Sequence, residues 1–444
     1  MVTGDPPLAF KPPRVYVLKD VWDHPPAARR AERVAAACPG AEVRTFAYDD
    51  LPAIVVEEGW DHLPRMGTLA QVPPPIPVLG LFRFDAEAVA RTEARMKAAY
   101  KGNGSFCWHL AAGGRAFVFF CSGMNDITVC PTHVCRPQWR IHQGQGCPHQ
   151  CAYCSLGGFI FSQVNTEEYL ERLADLVREN PWQKTYLYDD VMDVLTLEPQ
   201  LDSLAPLMRF FESAGNRYLI IHTKSDRVEP LLAAGAPNNT ILVWSLAGPT
   251  QTRELERMAG TTEARIEAAR RCQDAGFTIR YKFKPIVPVK NWREEAAATI
   301  DLALRRTRPD NLSMTVLMWM KVDELKRCIP ERLLDPEFLR AAEAAAGELH
   351  DVRVGPFPAA MREQVYRHYL AEIRKRNPDI PLTLSTESIE MWTVMGPSLG
   401  VNPGTYVCGC GAGATPHKRL LDSNPWQDAK AARTWDGKPP VPNE

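Results

Sequence analysis

From about residue 140 onward, short apolar blocks alternate with longer stretches whose apolar positions recur at helical spacing. The apolar blocks 185–188, 218–222, 240–245, 278–283, 312–317 and 381–384 predict strands. Before and between them, 166–179, 201–214, 263–275, 292–306, 336–348 and 358–376 predict helices. Thr166 is read as an N-cap with Glu167 and Glu168 in the first turn. Gly276 follows a helix as its C′ residue, and Asp335-Pro336 reads as a cap followed by proline at the first helical position. Strands buried on both faces and separated by helices imply a parallel sheet, and a full or partial β/α barrel is its natural closure. Ahead of it, strand patterns at 14–18 and 42–46 flank a helix pattern at 26–37, a small βαβ-like unit within 1–60. The region 61–135 carries a proline-rich piece at 72–78, read as linker or surface loop, and a strand pattern at 115–120. It receives no role. Residues 136–396 are assigned to the barrel and 397–444 to a C-terminal tail.

Composition changes this picture little. Hydrophobic residues make up 45% and charged residues 24%, ordinary for a globular enzyme. No run of eighteen apolar residues occurs, and the first residues lack the basic-then-apolar order of a secretory signal, so no membrane partner is expected. Apart from two clusters, the twelve cysteines are scattered, unlike a secreted disulfide framework; a reduced cytoplasmic setting is the expectation. Net charge is −1, and the basic clusters Arg270-Arg271, Arg305-Arg306 and Arg374-Lys375-Arg376 read as solvated helix faces. Nucleic acid is therefore a possible but not a favoured partner.

Candidate chemistry concentrates in Gly146-Cys147-Pro148-His149-Gln150-Cys151-Ala152-Tyr153-Cys154, a C-x3-C-x2-C array. Soft thiolates suit an iron–sulfur cluster or zinc. A four-iron cluster held by three thiolates keeps one iron open. A structural zinc ion wants a fourth ligand, and His149 between two of the cysteines is poorly placed to supply it. Polar residues also mark several strand ends: Lys224 and Ser225 after an apolar strand, Ser245 in another, and Arg280, Lys282 and Lys284 at alternate positions of a third, hence on one face. A buried carboxylate ligand would need such a cation and such hydroxyls.

With those residues in view, the chain resembles the spore photoproduct lyase-like branch of the radical S-adenosylmethionine superfamily. The resemblance rests on Arg14-Val-Tyr-Val-Leu18, the triad with Ser155-Leu156, and the stretch from His222-Thr-Lys-Ser-Asp226 to Leu232. Val243-Trp-Ser-Leu246, Lys282-Phe-Lys-Pro-Ile-Val-Pro288, residues 362–376 and Leu384 to Trp392 extend it. It implies a partial (β/α)6 barrel, with Cys147, Cys151 and Cys154 ligating a [4Fe–4S] cluster. It further implies Tyr153 against the adenine of S-adenosylmethionine, and Lys224 and Ser245 on the methionyl carboxylate. Reduced flavodoxin or ferredoxin would supply the electron that cleaves the cofactor and yields a 5′-deoxyadenosyl radical, which takes a hydrogen atom from the substrate.

The pattern also departs from that branch. The repair enzyme's hydrogen-donating cysteine lies on the strand after the cluster; the matching stretch here, Tyr186-Leu-Tyr-Asp-Asp-Val191, holds none. Its tyrosine after the third cysteine is Ser155 here. Asp189, in preference to Asp190, is expected on the cofactor's amine or ribose. Cys408 and Cys410, in a glycine-rich tail loop, are candidate substitute hydrogen donors, with a soft-atom clamp and an inert tail as alternatives. The resulting expectation is a radical enzyme acting on a non-DNA substrate, a small molecule or peptide. A DNA photoproduct lyase with another hydrogen donor is the first alternative and a non-catalytic iron–sulfur sensor the second.

Overall fold

The computed structural model describes residues 6–61, 63–104, 106–120, 134–235, 237–350 and 353–421. Its strands are β1 (Arg14–Leu18), β2 (Glu42–Phe46), β3 (Ile76–Gly80), β4 (Phe117–Phe120), β5 (Gln138–Ile141), β6 (Gly144–Gly146) and β7 (Phe159–Gln163). They continue as β8 (Thr185–Tyr188), β9 (Tyr218–Thr223), β10 (Thr240–Ser245), β11 (Thr278–Ile286), β12 (Leu312–Val316) and β13 (Leu382–Leu384).

Two sheets result. The larger runs β13-β12-β11-β10-β9-β8-β5-β4, parallel throughout except for β4 at its edge. Helices follow its strands, and helix predictions 166–179 and 292–306 match Thr166–Glu179 and Trp292–Arg306 to the residue. Asp335 caps its helix as expected, accepting from the Glu337 N–H at 2.9 Å. Asn165 rather than Thr166 precedes its helix, since the Asn165 side chain bonds both the Phe82 backbone and Glu168. This open, twisted parallel sheet is the partial barrel.

The smaller sheet has the order β2-β1-β3-β7-β6. It joins the N-terminal unit to strands that follow residue 140, so the two sheets share the stretch of chain carrying the cysteine triad. The proline-rich piece read as a linker includes Ile76 and Pro77, the start of fully buried β3 at the centre of this sheet. Proline cannot donate to a ladder, and the pairing of β3 with β1 begins only at Val78, one residue beyond Pro77. No helix among the described residues is long and apolar enough to cross a membrane.

Candidate active site

The triad sits in the loop of a hairpin. β6 and β7 pair antiparallel, Gly144 with Ser162 and Gly146 with Ile160, and residues 147–158 connect them. Glycine is required on β6: a Cβ at Gly144 or Gly146 would lie about 2 Å from the Phe161 or Phe159 carbonyl oxygen, and Gly146 has φ +113°. The loop closes on itself through Cys147 N–H to the Leu156 carbonyl at 2.7 Å and Cys154 N–H to the Cys151 carbonyl at 2.9 Å. It is braced from outside by Met66 N–H on the Cys154 carbonyl (2.9 Å), Gly67 N–H on Ala152 (2.8 Å) and Ala152 N–H on Leu255 (2.7 Å). Part of the region left without a role thus buttresses the triad.

His149 is a strut. Its Nε2 lies 2.8 Å from Asp193 and its Nδ1 3.1 Å from the Met258 carbonyl, so both nitrogens face acceptors within the protein. Asp193 also accepts from Thr223 and from the Lys224 backbone, tying the cysteine loop to the end of β9. Among the described residues the cysteines do not form a group compact enough to share one ion; the group that does is His142, Asp189 and Asp190. Tetrahedral zinc draws its ligands to about 2.3 Å from one point, whereas a polynuclear cluster spreads its thiolates, so the donor set fits iron–sulfur and not zinc. Burial pushes the thiols of Cys147 and Cys154 up and that of Cys151 up to about 11. A bound metal cluster is what keeps such thiols ionised.

Lys224 and Tyr153 stand beside the triad as expected, and a partner the sequence reading missed joins them. Glu256, fully buried, takes Lys224 Nζ at 2.7 Å and also bonds Tyr153 and Arg265. Lys224 Nζ reaches Tyr153 Oη at 2.5 Å, lies 5.1 Å from the centre of its ring and is 3.9 Å from Cys151 Sγ. Burial opposes the charge on Glu256, yet Lys224 and Arg265 hold its carboxyl well below the usual carboxylate range. The isolated bridge between Cys151 and Glu256 carries this network to the cluster loop. Arg265 also donates to the Ser245 carbonyl at 2.9 Å, fixing the end of β10 where Ser245 lies in register with Lys282.

Asp189, expected on the cofactor's amine or ribose, is engaged by the protein's own groups. Its carboxylate accepts the N–H groups of Gln143 (3.0 Å), Gly144 (3.2 Å) and Val191 (3.0 Å) and meets His142 Nδ1 at 3.2 Å. It is wholly buried, with φ +56°. These bonds hold the turn between β5 and β6, so Asp189 positions the hairpin. Asp190 pairs with Arg140 instead. Both acids are engaged within the protein, which accounts for the compact histidine–aspartate group without an ion.

The tail loop enters the barrel from the amino-terminal end of its strands. Thr185 and Lys184, at the start of β8, donate to the Gly411 and Ala412 carbonyls; Asn311, just before β12, donates to Val407 at 2.7 Å. Arg280, paired to Asp310 at 2.6 Å, anchors the Gly409 and Thr415 carbonyls. Cys410 Sγ comes to rest 3.2 Å from Lys282 Nζ, which lies 3.2 Å from His222 Nε2. A hydrogen bond from Cys408 holds the Cys410 thiol well below its ordinary range, against burial and with help from Lys282. The same bond, with burial, pushes Cys408 up. The two thiols are thus pushed apart, Cys410 toward ionisation and Cys408 away from it. Cys135 contributes to the electrostatics of both. Burial and then Lys282 push His222 down to about 4 and Lys284 down to about 8.

With that geometry established, the family model of spore photoproduct lyase matches residues 134–333. No curated protein matches the chain. Solved structures of spore photoproduct lyase are similar in fold. One variant gives a TM-score of 0.58 at 14% identity, covering 86% of this chain and 100% of that one. A second variant, with bound S-adenosylmethionine and dinucleoside spore photoproduct, gives 0.57 at 14% identity, covering 86% and 100%. The enzyme complexed with dinucleoside spore photoproduct also gives 0.57 at 14% identity, covering 85% of this chain and 98% of that one. A spore photoproduct lyase family model thus matches residues 134–333, and over most of its length the chain shares the fold of that enzyme's solved structures.

Proposed function

We propose that this protein is a radical S-adenosylmethionine lyase acting on a dipyrimidine photoproduct of DNA, with its hydrogen donor moved to the tail. The comparisons favour this over the non-DNA substrate expected from charge and from the missing cysteine, because the related structures carry a dinucleoside photoproduct. The observation that carries the reading is the barrel interior, where Lys282 lies 3.2 Å from Cys410 and, with Lys284, acts electrostatically on Cys135, while Arg140 nearby is paired with Asp190. A cationic lining suits the phosphodiester of a lesion extruded from the stack.

Cys147, Cys151 and Cys154 would hold a [4Fe–4S] cluster, and S-adenosylmethionine at its open iron supplies hydrogen-abstracting radical chemistry once an electron arrives from a flavodoxin- or ferredoxin-class donor. Lys224 has three donors; two are taken by Glu256 and Tyr153, and the third, now on Cys151 Sγ at 3.9 Å, would turn to the methionyl carboxylate, with the Ser245 hydroxyl as a further donor. Tyr153, its ring fixed by Glu256 and Lys224, would flank the adenine. Asp189 would position the hairpin that carries the triad.

The Cys408–Cys410 pair would return the hydrogen atom. The S–H bond of Cys408 breaks as the product C–H bond forms. The neighbouring thiolate shares the electron deficit between the two sulfurs, and one electron plus one proton from the same reductant class restores the pair. Anaerobic protein reconstituted with iron and sulfide, given S-adenosylmethionine, dithionite and dinucleoside spore photoproduct, is expected to release the repaired dinucleoside together with 5′-deoxyadenosine. An intact cluster that forms 5′-deoxyadenosine but leaves the lesion untouched rejects the DNA reading. No 5′-deoxyadenosine at all would leave the sensor reading standing.

A further inference from the structure

Most tryptophans among the described residues are buried or half-buried; Trp319 leaves 44% of its surface open. It follows the end of β12 with φ +63°, a left-handed backbone that a bulky side chain rarely adopts. Strain of this kind persists where surrounding bonds over-determine it, and here they do. The Trp319 N–H donates to the Arg353 carbonyl at 3.0 Å, and its own carbonyl accepts from Arg65. Arg65 Nη1 also donates to the Tyr153 carbonyl at 2.6 Å and pairs with Glu324 at 2.8 Å. One guanidinium therefore links the indole's backbone to the cysteine loop, which fixes Trp319 at the barrel rim next to the triad.

The ring is flanked by cations. Lys284 Nζ, from the barrel lining, lies 5.2 Å from its centre and the Arg353 guanidinium 5.8 Å. The Lys284 ammonium bonds the Thr386 hydroxyl at 3.1 Å and the Ser385 hydroxyl at 3.4 Å, so its hydrogen-bond partners are hydroxyls rather than a carboxylate. Trp319 also forms one wall of a cleft of about 1110 Å³ whose lining mixes the basic Lys321, Arg327 and Arg353 with the acidic Asp323, Glu324 and Glu348, so the cationic border is the Lys284 and Arg353 side of the ring. An open aromatic surface bordered by cations is the arrangement that holds an unstacked nucleobase against a ring and its phosphate against charge.

We infer that Trp319 is a base-stacking platform at the barrel mouth, with Lys284 and Arg353 receiving the adjoining phosphodiester. The inference deepens the DNA reading by naming a substrate contact, and it rests on that reading for the lesion alone. Its test uses undamaged ligand, so the two can fail separately. Fluorescence anisotropy of a labelled single-stranded oligothymidine with the reconstituted wild-type protein is expected to show saturable binding. Trp319→Ala is expected to weaken it about tenfold or more, and Trp319→Phe to restore it to within about threefold of wild type, on the scale of one stacked base. Iron content and unfolding midpoint check that each variant is folded. Equal affinity of wild type and Trp319→Ala overturns the inference, as do a Phe variant no better than Ala and a wild type that does not bind oligothymidine. Tight, Trp319-dependent binding with no lesion conversion upholds the platform and rejects only the DNA-repair reading.

Discussion

The two cysteine clusters of this molecule are made of the same side chain and meet opposite environments. In the hairpin loop between β6 and β7, burial raises all three thiols, and the nearest cation, Lys224, is already committed to buried Glu256. In the tail loop, Cys410 is held low by Cys408 and by Lys282 at 3.2 Å, while Cys408 stays protonated. The first set is shifted away from ionisation at every thiol; in the second the shifts oppose each other, one thiol favoured to ionise and one to keep its proton. On the proposed reading, what stands next to each sulfur divides identical side chains into ligands and a donor.

Single alanine substitutions break the comparison most directly. Cys151→Ala is expected to abolish turnover, with iron content and cluster absorbance falling together. Cys410→Ala is expected to keep the cluster and 5′-deoxyadenosine formation while losing repaired product. Loss of iron in Cys410→Ala would mean that the tail thiols belong to the metal site. Equal product from Cys410→Ala and wild type would remove them from the reaction.

The charge network beside the triad sharpens the contrast by a smaller amount. Glu256→Gln leaves Lys224 and Arg265 buried without their carboxylate, and breaking such a group costs about 3–5 kcal/mol. Chemical denaturation of the wild type and the variant measures this. A difference below about 1 kcal/mol would show that water, not Glu256, balances those cations.

Much of this was legible in the sequence. The parallel strands could be read because strands buried on both faces are continuous apolar runs with clear boundaries. The triad could be read because its spacing is local. β3 was hidden by Pro77, whose effect on a ladder depends on which neighbour is paired at which residue. Glu256 was hidden because Tyr153, Lys224 and Arg265 converge on it from three places, 103, 32 and 9 residues away. Asp189 could be read from the sequence either as a cofactor contact or as a turn former, because an acid at a strand end can serve both; the structure shows the turn-forming bonds. The tail thiols were visible as a motif, but their entry among the barrel strands is a tertiary fact with no local signal.

The smallest effect concerns pH, and its two signs make it the sharpest. Burial, with Lys282 beside it, pushes Lys284 down to about 8 from an ordinary lysine value of 10.5. Below pH 8 the folded protein carries this ammonium at a cost. Between about 8 and 10.5 the unfolded chain keeps a proton that the folded protein has released, so this group's contribution to stability rises with pH across that window. Anion binding moves the other way, because the ammonium that meets the phosphodiester is lost above pH 8. Oligonucleotide affinity should fall by up to about tenfold from pH 7 to 9, the size of one charge-assisted contact of ~1.5 kcal/mol. Lys284→Met should bind weakly at both pH values and flatten the profile. A wild-type profile as flat as that of the Met variant would place Lys284 outside the anion's reach. A steep profile surviving in the Met variant would assign the titration to another group of the lining.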